Sequence, residues 1–295
     1  MALSALLSAC GFFTATDAEL MGGGPSGDGA AAGAGGASSI SSSSSTTSGG
    51  GGASATTTAT GGAGGAGGGS TRWCDGQPAS VVFCDDFEDG YSWNGNNLLA
   101  PYLEGVDPPA SPGSTASLRV DRSGPWGQGG GSDYLAWQQP AFPGGSIQLE
   151  FAVYPVELPS DNTAVVFAKL GTELTGRMAE DNVCQWLFYV GQTGTGYLRL
   201  QRDSVTVQGN DITFERPRAN DWTRYRLRLT RDGGGSVTDV ELSSPDLPGG
   251  PWSRSVSGEC KFDQPRIELG LVYASIASGL RAYLNYDNVT LTALP

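Results

Sequence analysis

The stretch WTRYRLRLT, Trp222–Thr230, alternates strictly. Tyr225, Leu227 and Leu229 fall on one side of an extended chain, and Arg224, Arg226 and Arg228 on the other. Successive side chains of a strand point to opposite faces, so this period of two predicts a strand with one buried and one solvated face. Ile147, Leu149, Phe151 and Val153 repeat the pattern, as do Ile267, Leu269, Leu271 and Tyr273. Other short segments rich in Val, Leu, Phe and Tyr, such as SLRVD, NTAVVFAKL, VCQWLFYV and GYLRLQ, are bounded by Gly, Pro, Asn and Asp. These are strand and turn signals, and no stretch keeps a capped helical period. About a dozen such strands predict an all-β fold, a two-sheet antiparallel β-sandwich of the jelly-roll kind.

The pattern begins only at Val81. From Met21 to about Ser70 the chain is almost entirely Gly, Ala, Ser and Thr. Such a segment buries too little apolar surface to offset the entropy of ordering, so it is expected to be a disordered linker. As a flexible coil of about 50 residues it would span roughly 40 Å. All 17 Lys and Arg lie beyond residue 70, whereas Asp17, Glu19 and Asp28 lie before it. The folded part, 71–295, therefore holds 27 of the 30 acids against 17 bases, a net charge of −10. Phosphate backbones need a basic footprint, so nucleic acid is excluded as a partner. Histidine is absent, which removes Ser-His-Asp hydrolysis, Cys-His nucleophiles and His-based zinc sites.

The chain opens MALSALLSACGFF. Its apolar run is too short to cross a bilayer and reads as the end of a secretory signal. Leu7-Ser8-Ala9-Cys10 resembles the lipobox of bacterial lipoproteins. The resemblance implies cleavage before Cys10 and acylation of its sulfur, and so an exported protein of the bacterial cell envelope. Its only membrane contact would be the lipid anchor, which multiple acyl chains make stable. The resemblance lacks one part, since no Lys or Arg precedes the apolar run. The expected organisation is signal 1–9, lipidated cysteine and linker 10–70, and sandwich 71–295. Four further cysteines, Cys74, Cys84, Cys184 and Cys260, in an exported domain predict two disulfides. Three pairings are possible. Cys74 and Cys84 flank a short turn-rich segment, which favours their pairing and leaves Cys184 for Cys260.

Four segments taken in order, FCDDFEDGYSW, DWTRYRLRLT, IELGLVYAS and YLNYDNVTLT, resemble the concanavalin A-like lectin/glucanase fold. More narrowly they are similar to LamG-like jelly-roll modules. The resemblance covers about Val81 to Leu294. It implies that the first and last strands pair, that a carbohydrate is the partner, and that a structural Ca2+ is carried near the chain ends.

Glucanases of this fold carry a Glu-x-Asp-x-Glu strand, and none occurs here; Glu150 and Glu157 are seven residues apart. No catalytic residue is assigned, and an enzyme is the less favoured reading. For glycan binding, Gln148, Glu150 and Tyr154 face away from the core on one strand. Gln185 and Tyr189 do so on another, opposite Trp186 and Phe188, and together they are expected to line a concave sheet. Trp73, Trp93, Trp126, Trp137 and Trp252 are candidate loop platforms, while Trp222 is expected in the core. Arg224, Arg226 and Arg228 could meet an acidic polysaccharide, but pairing with Asp239 and Glu241 across the next strand accounts for them better. Val289 and Leu291 fall out of phase with Leu284 and Tyr286, which predicts a bulge at Asp287-Asn288. With the ends paired, Asp85 or Asp86 approaches Asp287, and converging carboxylates suit Ca2+. The sequence reading is thus a cell-envelope lipoprotein whose lectin-like sandwich binds an envelope polysaccharide or other glycan. The alternatives are a carbohydrate-active enzyme with an unusual active site, and a structural or adhesive module.

Overall fold

The computed structural model describes residues 72–295 except 91–92, 97–101, 140–144, 160–163, 173–181, 192–193, 204, 208 and 210. The expected signal, Cys10 and linker lie outside the described residues. What is described is all-β, two antiparallel sheets packed face to face as a jelly roll. The first sheet runs β14 (Trp252–Ser255), β13 (Val237–Ser243), β12 (Thr223–Arg231), β6 (Ser146–Glu157), β16 (Arg281–Leu294), β4 (Ser117–Ser123) and β3 (Tyr102–Glu104). β1 (Val81–Asp85) also pairs with β16. The second runs β10 (Val205–Thr206), β9 (Thr195–Arg202), β8 (Cys184–Val190), β7 (Ala164–Thr172), β15 (Pro265–Ile276), β5 (Trp126–Gln138) and β2 (Gly95–Asn96), with β11 (Ile212–Glu215) beside β9.

The alternating residues go where their period sends them. Tyr225, Leu227 and Leu229 are buried while Arg224, Arg226 and Arg228 are exposed. Between the sheets lies an aromatic layer. Phe151 and Tyr225 come from the first sheet, and Phe167, Phe188 and Phe214 from the second. Phe151 meets Phe188 edge-on at 5.1 Å between ring centroids, and Tyr225 lies 5.4 Å from Phe214 and 5.5 Å from Phe188. Such offset and T-shaped pairs add to the burial term, and truncating one of these rings to Ala would cost about 3–5 kcal/mol. Tyr286, fully buried on β16, crosses the core and donates its hydroxyl to the Phe167 carbonyl at 2.8 Å.

The first and last strands pair as expected, with Asp85 opposite Val289. Between Asp287 and Thr290 the register of β16 against β6 shifts, and Asn288 takes φ 53°. That is the bulge the phase change predicts. Both disulfides close as expected, Cys74–Cys84 and Cys184–Cys260. Four tryptophans differ from their expectation. Trp137 on β5 and Trp252 on β14 are strand residues packed against the core, Trp137 lying 4.6 Å from Phe83. Trp93 is no loop platform: it lies in the core 5.1 Å from Phe83 and donates its indole N–H to Asp85. Trp222 stays on the outer surface, because it precedes β12 and its N–H is taken by the Pro108 carbonyl at 2.7 Å.

Candidate functional site

The outer face of the second sheet gathers the polar side chains best placed for chemistry. On β8, Trp186 and Phe188 enter the core, so alternation turns Gln185, Leu187 and Tyr189 outward. On β9, Leu198 and Leu200 enter and Tyr197, Arg199 and Gln201 turn outward. Register then stacks them in rows. Gln185 is opposite Gly171 of β7 and Gln201 of β9, Leu187 is opposite Lys169 and Arg199, and Tyr189 is opposite Tyr197. On the far side of β7, Lys169 faces Glu268 and Gly171 faces Arg266.

The middle row is ionic. Glu268, only 3% exposed, accepts from Lys169 Nζ at 2.7 Å and from Arg266 Nε at 2.6 Å. Arg199 is held by Asp211 at 3.2 Å, and its guanidinium carbon lies 4.9 Å from the centre of the Tyr189 ring. The Tyr189 and Tyr197 rings are 5.9 Å apart. Burial pushes the Tyr189 hydroxyl above the usual phenol range, against the pull of Arg199, so the group is a proton donor at neutral pH. In the row beside it, Gln185 Oε1 and Gln201 Oε1 are buried with no hydrogen-bond partner among the described residues. Gly171 is required here, since a Cβ would sit 2.7 Å from Gln185 Cγ. Cations, an amide and two phenols on one face can hold a carboxylate and move a proton beside it. Of these residues, Gln185 and Tyr189 were legible in the sequence. Lys169, Tyr197, Arg199 and Glu268 were missed. The signal available was a charged residue inside an otherwise apolar strand, as in VVFAKL and RIELGL.

Gln148, Glu150 and Tyr154 are on β6, in the other sheet. They turn outward from the opposite side of the sandwich, so the structure does not bring them together with Gln185 and Tyr189. Glu150 accepts both arms of Arg226, at 3.0 and 3.1 Å. Tyr154 packs against Trp222 at 5.3 Å.

The three aspartates of the chain ends each have their own donors near the β1–β16 pairing. Asp85 accepts from the Phe87 amide and from Trp93, both at 2.8 Å. Asp86 accepts from the Cys74 amide at 3.1 Å. Asp287, 0% exposed, accepts from the Ser114 hydroxyl at 2.6 Å and the Asn288 amide at 2.7 Å. Burial raises its pKa to about 7, with the charges of Glu88 and Asp86 adding to the effect. Among the described residues no group of three or more His, Cys, Asp or Glu side chains is arranged to hold a metal ion.

No family model matches this chain, and no curated protein matches it in sequence. Solved structures do share its fold. The endo-β-1,4-glucuronan lyase of the fungus Trichoderma reesei is 14% identical, with a TM-score of 0.50, covering 72% of this chain and 96% of that one. Alginate lyase vAL-1 from Chlorella virus is 10% identical, with a TM-score of 0.48, over 72% of this chain and 100% of that one. The marine alginate lyase AlyA1 from Zobellia galactanivorans is 15% identical, with a TM-score of 0.43, over 69% and 82%. At these identities the likeness is one of fold.

A carboxyl whose folded pKa lies above its unfolded value of 3.8 favours folding most when protonated. Its contribution is complete below about pH 4 and is lost as pH rises through about 7. In chelator, Asp287→Asn should therefore raise the melting temperature above wild type at pH 8, with little difference at pH 4. Parallel melting curves for the two proteins across that range would rule this out.

Proposed function

We propose that this protein is an exported carbohydrate-active enzyme that cleaves an acidic polysaccharide by β-elimination on the outer face of its second sheet. The observation that carries the reading is the cluster of Gln185, Tyr189, Tyr197 and Arg199 on adjacent strands. It occurs in a fold shared with a glucuronan lyase over 96% of that protein. In a 4-linked uronate the C5 hydrogen is acidified by the neighbouring carboxylate. A base removes that proton, the C5–H electron pair becomes a C4=C5 double bond, and the C4–O4 bond breaks as O4 takes a proton from an acid. No histidine, metal or water nucleophile is needed, which suits a chain without histidine. Arg199, held in place by Asp211, and the Gln185 amide would meet the substrate carboxylate and stabilise the charge that spreads onto it. Tyr189, kept protonated by burial, would supply the proton to O4, and Tyr197 beside it would act as the base that takes the C5 proton.

The chain ends and the anchor belong to the same reading. Ca2+ would relieve the burial of a charged Asp287 beside Asp86 and Glu88, with Asp85 fixing the turn that carries them. Cys10, acylated, would tether the enzyme to the envelope.

Incubated with glucuronan, alginate or pectate, the protein should release products with the ultraviolet absorbance of a C4=C5 double bond. Tyr189→Phe should lower kcat by about 100-fold or more, leaving the melting temperature near wild type. Binding with no absorbance from any acidic polysaccharide would leave a glycan-binding module; neither binding nor turnover would remove carbohydrate from the account.

For the ion, a ligand that binds only the folded state stabilises by about 2.7 kcal/mol at a hundredfold excess over Kd. The melting temperature should rise with Ca2+ and fall with chelator, and Asp287→Ala should abolish the response. Indifference to both would leave these aspartates as turn caps.

For the anchor, Cys10→Ser should move the protein from the membrane to the soluble fraction of a bacterial host. A wild-type protein that is already soluble and keeps Met1 would end the lipoprotein reading.

A further inference from the structure

The opposite face of the sandwich has its own donor cluster. Arg224 and Arg226 alternate outward along β12, about 7 Å apart at strand spacing. Arg224 gives its Nε and Nη2 to Asp246, at 2.9 and 2.7 Å. Arg226 gives the same two atoms to Glu150, at 3.0 and 3.1 Å. These forks fix both guanidinium planes and leave the Nη1 edges for another acceptor. Both side chains remain half-exposed. Beside them opens a cavity of about 290 Å³, lined by both arginines, Ser243, Ser244, Gly250 and Glu150, whose carboxylate is taken up by Arg226. Arg228 continues the row, exposed and facing Glu241 and Gln148 across the neighbouring strands.

We propose that this cavity is a second, non-catalytic site for a carboxylate-bearing sugar unit of an acidic polysaccharide. Glu150, Asp246 and Glu241 nearly neutralise the three arginines, so net charge does not select the ligand. Donor geometry does. A planar carboxylate fits between two fixed guanidinium edges, and the hydroxyls of Ser243 and Ser244 suit the ring hydroxyls beside it. The cavity volume is at the small end for ligand pockets and matches one sugar unit better than a longer segment. Preorganisation by the internal carboxylates lowers the entropy cost of binding. The site lies on the other sheet from Tyr189 and Arg199, so it stands whether or not that face cleaves.

The test is calorimetric titration of the full chain with trisaccharides of 1,4-linked glucuronate, mannuronate or galacturonate, with cellotriose as the neutral control. An Arg199→Ala background silences the other face, and cleavage is read separately by absorbance, so failure of one proposal does not mimic failure of the other. At least one uronate should bind and cellotriose should not. Arg224→Gln with Arg226→Gln should weaken binding about tenfold or more, the scale of a lost charge-assisted hydrogen bond. Arg224→Lys with Arg226→Lys keeps the charges and loses the forks, and should weaken it comparably, with the melting temperature confirming a folded protein. Wild-type affinity in both double variants, equal binding of cellotriose, or no uronate binding at all would each overturn the proposal.

Discussion

The structure depends on a packing constraint: each long strand has two faces, and the aromatic and aliphatic layer between the sheets claims one of them. Phe151 and Tyr225 from one side meet Phe167, Phe188 and Phe214 from the other. Once Trp186 and Phe188 are committed inward, Gln185 and Tyr189 have no choice of direction. Slipping β8 by one residue would exchange the two sets and expose two large aromatic rings. The positions of the candidate site are therefore held by the hydrophobic effect acting on the neighbours of the functional residues. Tyr286 reinforces this by tying β16 to the Phe167 carbonyl across the core. The same strand carries the bulge and pairs with β1, β4 and β6.

Charge is handled differently on the two outer faces. Lys169 and Glu268 form a buried pair, with Lys169 only 9% exposed and the partly buried Arg266 beside them. Desolvating such a set costs several kcal/mol per ion, and removing one member strands the others. What it does show is a cation fixed on that face by a single carboxylate. On the first sheet the arginine forks are half-exposed, where each pair adds little to stability. There the pairing orients donors and does not hold the fold. Arg119 shows a third use of cations, lying 4.7 and 4.5 Å from the Tyr102 and Tyr283 rings and 2.8 Å from Glu104. That contact braces the edge strand β3 against β4 and β16.

The fold was legible because its signals are local. Period-two alternation marks strands, and the phase change at Asp287-Asn288 marks the bulge without any long-range information. The pairing of the first and last strands came from the resemblance to a known fold. The site was half-legible. Alternation tells which side chains leave the core, and it placed Gln148, Glu150, Gln185 and Tyr189 outward. It does not tell which sheet a strand joins. β6 pairs with β12 and β16, while β8 pairs with β7 and β9, so residues with the same local pattern came to lie on opposite sides. The arginine row shows the same limit. Its partners are Asp246, beyond the adjacent strand, and Glu150, on the strand to the other side. Asp239, expected as a partner, instead accepts from Ser255 at 2.8 Å. Lys169 was missed because an apolar run conceals the depth at which its ammonium ends, and only its register with Glu268 explains how a buried lysine is tolerated.

An acidic polysaccharide approaching a domain with a net charge of −10 would work against that domain's long-range field. Screening limits that field to about 8 Å at physiological ionic strength, so the approach costs little and the outcome is decided within hydrogen-bond range. At that range donor count and rigidity dominate. A free lysine on an acidic surface would lose most of its attraction to solvent and to neighbouring acids. A guanidinium clamped by one carboxylate keeps a fixed outward edge for another, because its donors are spread over a plane and only one side of it is used. Arg199 against Asp211, Arg224 against Asp246 and Arg226 against Glu150 repeat that arrangement on both faces. The acids that make the domain negative are thus also what fix the orientation of its arginines.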